Sequence, residues 1–137
     1  MSSPSCLFCK IISGAIPSYK LYETSKVFAF LDIGPISKKH CLIIPKHHGE
    51  KLHDIPDDYL SEILPVAKKL SKAIGCEDYN ILQNNGKLAH QEVKHVHFHL
   101  IPKWNANTGL KMGWEGDEEA RDSATLASFA EELKNKL

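Results

Sequence analysis

Long hydrophobic runs are missing from this 137-residue sequence. The longest unbroken apolar stretch is Val27 to Leu31, far below the ~18 residues a membrane helix needs, so no membrane partner is expected. Residues Met1 to Cys6 carry neither a basic stretch nor an apolar one. A secretory signal is therefore not expected there, and a cytoplasmic or nuclear location is. An excess of either charge is also missing: 17 Lys and Arg balance 17 Asp and Glu. Bulk electrostatics then gives no attraction for nucleic acid or anionic lipid. There is no internal repeat and no linker-like Gly, Ser or Pro tract, so a single domain over residues 1–137 is expected, with its core at about 6–104 and a rim and helix at 105–137. Cysteine is limited to Cys6, Cys9, Cys41 and Cys76. A domain of this size buries enough surface without cross-links, and the expected compartment is reducing, so these are read as thiols.

Histidine is what the sequence has in quantity. Of eight, six fall in two groups, His40/His47/His48 and His95/His97/His99, with His90 just before the second.

The apolar pattern around these groups predicts an α+β domain. Leu7, Phe8, Ile11 and Ile12 follow helical spacing over Cys6 to Ser13, and Gly14 is a natural stop. Strands are expected at Tyr19 to Glu23, Val27 to Ile33 and His40 to Pro45, joined by short turns that favour antiparallel pairing. Leu60, Ile63, Leu64, Ala67, Leu70 and Ile74 mark a helix over Asp57 to Ile74, kinked or divided at Pro65. Two further strands are expected at Tyr79 to Gln83 and His95 to Pro102. A last helix over Ser123 to Leu137 presents Leu126, Phe129, Ala130, Leu133 and Leu137 on one stripe. The sum is an antiparallel sheet of about five strands with helices packed on one side of it.

In His95-Val96-His97-Phe98-His99-Leu100-Ile101-Pro102, imidazoles alternate with apolar residues. On a strand this period places three rings on one face, about 7 Å apart, aimed at solvent, with the apolar residues entering the core. Two chemistries fit. A neutral imidazole near its own pKa is a good nucleophile toward phosphorus; alternatively a His-x-His pair ligates a catalytic zinc. The spacing does not choose between them. Cys6-x-x-Cys9 is half of a structural zinc site, and His47 or His48 is a candidate to supply another ligand.

The run His95 to Ile101 resembles the signature of the histidine triad family, His-φ-His-φ-His-φ-φ with φ apolar. The Hint branch of that family also shows, in the same order, segments like Cys6-Leu7-Phe8-Cys9-Lys10-Ile11-Ile12, Ala29 to Ile33, His40 to Lys46 with His48, and Asn84 to Gly86. The resemblance spans about residues 6–104. It implies a homodimeric, purine-nucleotide-binding hydrolase that cleaves AMP phosphoramidates to AMP and an amine, the adenosine 5'-monophosphoramidase activity. By that resemblance His97 forms a nucleotidyl-imidazole intermediate, His99 contacts the phosphate or assists proton transfer, and His40 orients the triad. Asp32 binds the ribose hydroxyls, while Leu7, Phe8, Ile11, Phe30 and Ile33 enclose the base. Asn84 lies near ribose or phosphate, Gln91 is available to a phosphate oxygen, and Glu92 and Val93 belong to the same nucleotide-binding segment. The resemblance further implies a structural zinc on Cys6, Cys9, His48 and His95.

One departure stands out. Many members carry Gly-Gln-Ser/Thr-Val before the triad, and here the sequence reads His90-Gln91-Glu92-Val93. A hydroxyl able to donate is replaced by a carboxyl whose ionised form repels phosphate. That substitution keeps a nucleotide-binding adaptor with vestigial hydrolysis open as an alternative, beside a zinc-dependent hydrolase. Residues Trp104 to Glu119 are expected to form a mobile rim.

Overall fold

The computed structural model describes residues 2–137. Helix α1 (Leu7–Ser13) is capped at its start by the Cys6 thiol, which accepts from the Cys9 backbone N–H, and at its end by Gly14 at φ 84°. Strands β1 (Lys20–Glu23), β2 (Val27–Leu31) and β3 (Cys41–Pro45) follow. Helix α2 (Asp57–Ile74) carries Asp57 and Asp58 in its first turn, where the helix dipole favours them, and ends on Gly75 at φ 76°. Pro65 does not divide it. Strands β4 (Tyr79–Gln83) and β5 (Phe98–Pro102) complete the sheet, and α3 (Ser123–Lys136) closes the chain.

All neighbours in the sheet are antiparallel, in the order β1-β2-β3-β5-β4. Alternation along β2 and β3 divides the core in two. Val27, Ala29, Cys41 and Ile43, with Leu100, pack against Ile63, Val66, Ala67 and Leu70 of α2. Phe28, Phe30, Leu42 and Ile44 pack against Phe8, Cys9 and Ile11 of α1. Helices therefore cover both faces, not one as the sequence pattern led us to expect. The reason is legible in β2 and β3: Val27 to Phe30 and Cys41 to Ile44 are apolar at every position, and a strand that is apolar on both sides must be covered on both.

The third helix differs from expectation. Asp122 caps it by accepting from the Thr125 backbone N–H, but none of its residues is buried. Leu126, Phe129 and Leu133 are 52, 46 and 59% exposed. The amphipathic stripe exists, and nothing in the described chain covers it.

The histidine strand is also shorter than its pattern. The ladder between β3 and β5 ends at Ile43 opposite Phe98, so His95 and His97 precede the strand. Pro45 has no N–H to extend the ladder, and its carbonyl bonds the His95 side chain instead, at 2.8 Å. Val96 turns to Gly49, donating its backbone N–H at 2.9 Å.

Candidate functional site

His99 faces the same side of the sheet as Leu42, its partner in the ladder, and that is the α1 side. The rings expected to face solvent are therefore largely covered. His95 is fully buried and His97 is 7% exposed. The Phe8 ring of α1 stands edge-on to both, with centroids 5.9 and 5.1 Å away.

Backbone groups fix the proton positions of three of these rings. The Pro45 carbonyl can only accept, so His95 carries its proton on Nε2 and turns the Nδ1 lone pair inward. The His95 carbonyl accepts from His97 Nδ1 at 2.6 Å, which leaves the His97 Nε2 lone pair free. The Ile36 N–H can only donate, and it donates to His40 Nδ1 at 3.2 Å. Neutral His40 therefore has its proton on Nε2, which donates to His99 Nδ1 at 2.9 Å. His99 in turn keeps an N–H on Nε2. Asp32 adds a carboxylate oxygen 3.4 Å from His40 Nε2, while its other oxygen accepts from the Gly34 backbone N–H at 2.8 Å.

Burial holds these rings neutral. It lowers the pKa of His97, opposed by the hydrogen bond to the His95 carbonyl and by the negative charges of Asp32 and Glu92. It lowers His40, opposed by Asp32. His99 is pushed down to about 4 by burial and then by the neighbouring His97 and His40 rings, and His95 likewise reaches about 4, chiefly through burial. At neutral pH the site offers an unprotonated nitrogen on His97 and an N–H on His99, with ring centroids 5.1 Å apart. That pair can attack an electrophile and hold the charge that develops beside it.

A second cluster lies at the other end of the triad. His95 Nδ1 is 3.3 Å from Cys6 Sγ, 3.6 Å from Cys9 Sγ and 3.3 Å from His48 Nδ1. Cys9 Sγ is 3.5 Å from His48 Nδ1. The four donors converge and can hold a metal ion. Of the two candidates in the middle of the chain, His48 joins this cluster, while His47 packs its ring on Tyr59 at 5.4 Å.

The remaining predicted residues divide. Phe8, Ile11 and Phe30 are buried together beside the triad, whereas Leu7 and Ile33 are 44 and 86% exposed. Val93 packs against the α1-side core, and Asn84 donates to the His90 carbonyl at 3.4 Å. Gln91 departs from its expected availability to phosphate. Its Nε2 donates to the Glu50 and Val93 carbonyls at 2.6 and 3.0 Å, and its Oε1 accepts from Gly86 N–H at 2.7 Å. Both amide hydrogens are spent holding the loop. Glu92 is exposed and forms no ion pair among the described residues. The anchors that sequence reasoning missed are the Ile36 N–H and the carbonyls of Pro45 and Glu50. As backbone groups they carry no side-chain signature.

The HIT domain profile matches residues 13–106. The chain is 58% identical to adenosine 5'-monophosphoramidase HNT1 of Candida albicans over 144 residues, covering 99% of this chain and 93% of that protein. It is 54% identical to the adenosine 5'-monophosphoramidase HNT1 of Saccharomyces cerevisiae over 142 residues, covering 100% and 89%. The crystal structure of a histidine triad nucleotide-binding protein from Candida albicans superposes with a TM-score of 0.90 at 58% identity, covering 96% of each chain. Relatives this similar over nearly the full length, and a fold that sets His97 and His99 side by side on the α1 face, make the chain a member of the HIT domain family.

Proposed function

We propose that the protein is an adenosine 5'-monophosphoramidase, a hydrolase that cleaves the P–N bond of AMP phosphoramidates through a nucleotidyl-His97 intermediate. The observation that carries this reading is the fixed tautomer of His97: Nδ1–H is held by the His95 carbonyl, so Nε2 presents a lone pair. The relatives' printed activity supports the same chemistry.

In the first half, His97 Nε2 attacks the α-phosphorus, the P–N bond to the amine breaks, and the departing nitrogen takes a proton from solvent. His97 becomes a cationic nucleotidyl-imidazole whose Nδ1–H stays on the His95 carbonyl. His99 donates its Nε2–H to a non-bridging phosphate oxygen, and the His40 Nε2–H on its other nitrogen keeps that proton in place. In the second half, water attacks phosphorus, the P–N bond to His97 breaks, the electron pair returns to Nε2, and the water proton goes to solvent. AMP leaves. Asp32 receives the ribose hydroxyls through its Oδ2 edge, and Phe8, Ile11, Phe30, Leu7 and Ile33 flank the base. Asn84, Glu92 and Val93 border the phosphate and its leaving group, while Gln91 positions their loop.

Asp32, His40 and His99 also bring three donor atoms together, the set a zinc-dependent hydrolase would use. Metal ligation through His40 Nε2 would move the ring proton to Nδ1, against the Ile36 N–H that already points there. This conflict favours the His-nucleophile reading.

The metal is assigned instead to Cys6, Cys9, His48 and His95, with zinc as its identity. Tetrahedral zinc with Zn–S near 2.3 Å and Zn–N near 2.05 Å gives S···N edges of about 3.5 Å and an N···N edge of about 3.4 Å. The corresponding separations here run from 3.3 to 3.6 Å. Two thiolates also neutralise the dication in a buried place. Bound there, zinc supplies a cross-link between α1 and the start of the triad and no open position for chemistry.

A homodimer is part of the proposal. Tyr79 and Ile81 are 43 and 45% exposed on β4, an edge strand, and pairing across a two-fold with α2 would cover them. Light scattering should give twice 15.4 kDa; a monomer mass contradicts the dimer alone.

The test of the catalytic reading is rapid acid-free quenching during turnover of adenosine 5'-phosphoramidate. Mass spectrometry should locate an adenylyl group on the peptide holding His97. AMP release with no labelled peptide at any time point under single-turnover conditions would contradict the covalent route.

A further inference from the structure

A cleft of about 670 Å³ lies between residues 35–39 and the segment after β5, lined by Pro35, Ile36, Ser37, Lys38, Lys39, Trp104, Asn105 and Thr108. Its volume is in the range of small-molecule sites. Register along the sheet separates it from the chemistry. Running along β3 from Pro45 to Cys41, the order is metal cluster, His97, His99, His40, and then this cleft beyond the strand ends.

Three features mark it as built to receive something. The first is charge: Lys38 and Lys39 are the ionised groups of the lining, no carboxylate is among the lining residues, and neither lysine forms an ion pair among the described residues. The second is the indole of Trp104. It is fixed by donating Nε1–H to the Lys38 carbonyl at 2.8 Å and still 39% exposed, with Lys39 Nζ 5.6 Å from the ring centroid. The third is unspent polar capacity and strain. Ser37 is 7% exposed and its hydroxyl has no partner among the described residues, while Lys39 holds φ 68°, a conformation that costs a side chain energy. The two walls are tied together by Gly109 N–H donating to the Ile36 carbonyl at 3.1 Å, so the cleft is a standing feature of the fold.

We propose that this cleft binds a small aromatic anion, its ring against Trp104 and its negative group on Lys38 and Lys39. A flat ring complements the indole and the Pro35 and Ile36 side chains, and an anion supplies the opposite charge that neither lysine finds in an ion pair. None of the cleft's lining residues is among those assigned to the nucleotide, and the proposal does not depend on the phosphoramidase reading. The cleft is mechanically close to the nucleotide site, because Ile36 both lines the cleft and orients His40.

Phenyl phosphate is the probe, chosen because it has no nucleoside to occupy the other site. The sequence has two tryptophans, so the indole N–H region of a proton–nitrogen correlation spectrum holds two resonances, assigned with Trp104→Phe. Titration into the full-length, zinc-loaded protein should move the Trp104 resonance saturably and leave Trp114 in place. Lys38→Ala/Lys39→Ala should bind at least about tenfold more weakly, as expected for loss of charge-assisted bonds. Phenol and inorganic phosphate should each bind more weakly than phenyl phosphate. An unmoved Trp104 resonance, unchanged binding in the lysine variant with a native-like spectrum, or inorganic phosphate binding as tightly as phenyl phosphate would each overturn the proposal.

Discussion

Zinc removal is the perturbation whose magnitude follows most directly from the geometry. The donor separations of 3.3 to 3.6 Å already match a zinc tetrahedron, so binding requires little rearrangement of the folded chain. The unfolded chain scatters Cys6, His48 and His95 over 90 positions and binds poorly. Free zinc at a thousand times its dissociation constant then stabilises the fold by about 4 kcal/mol. At ~2.1 cal/mol/K of unfolding entropy per residue, a 137-residue chain converts that to a rise in Tm of about 14 °C. Scanning calorimetry of chelated and zinc-loaded wild type measures the rise, and Cys9→Ser should abolish it while keeping the zinc-free Tm within a few degrees. Cobalt substituted for zinc should show the thiolate charge-transfer bands of a tetrahedral sulfur-containing site. A wild-type protein that purifies without zinc and whose Tm ignores added zinc would refute the reasoning, as would Cys9→Ser retaining a full equivalent.

Two further outcomes follow from the imidazole network. His40→Ala removes the Nε2–H that holds His99, so kcat should fall by about 10²-fold, with the KM for substrate changed far less; steady-state kinetics at saturating substrate checks it, and unchanged kcat would sever His40 from the mechanism. His99 has a folded pKa near 4 against an ordinary value of 6.5, so its neutral form stabilises the fold above pH 6.5. As pH falls below 6.5 the unfolded state takes up the proton first, and the contribution is lost progressively down to about pH 4. Between pH 7 and pH 5 that amounts to about 2 kcal/mol, and urea midpoints should show His99→Gln losing that much less than wild type over the same interval.

Much of the fold was legible because periodicity reports directly on side chains, whereas the roles of the site residues came from the resemblance to the histidine triad family. The α1 and α2 helices and the sheet strands follow from patterns of apolar residues; ligand spacing alone gave Cys6 and Cys9 with either His47 or His48, and the full set of Cys6, Cys9, His48 and His95 came from the resemblance to the histidine triad family. What failed to show was set by backbone and by neighbours distant in sequence. His95 to Pro102 alternates like a strand from its first residue, yet Pro45 on the opposing strand lacks the N–H to pair it, so two of the three histidines precede the ladder. Alternation also implied a solvent face, which α1 covers with Phe8. Gln91 has the composition of a ligand-binding amide, but its hydrogen bonds are consumed by carbonyls that no sequence letter reveals. The α3 stripe predicted burial; an amphipathic pattern states that a helix can be covered, and the covering partner is a separate fact. The cleft at Trp104 was invisible for the same reason, since it forms where Gly109 meets Ile36 across the chain.

The most direct test of the central claim is AMP release from adenosine 5'-phosphoramidate by wild type and His97→Ala at equal zinc content. A nucleophilic His97 predicts a loss of at least ~10³-fold, about 4 kcal/mol of barrier, in a variant whose Tm and zinc binding match wild type. Equal turnover by the two proteins would contradict it.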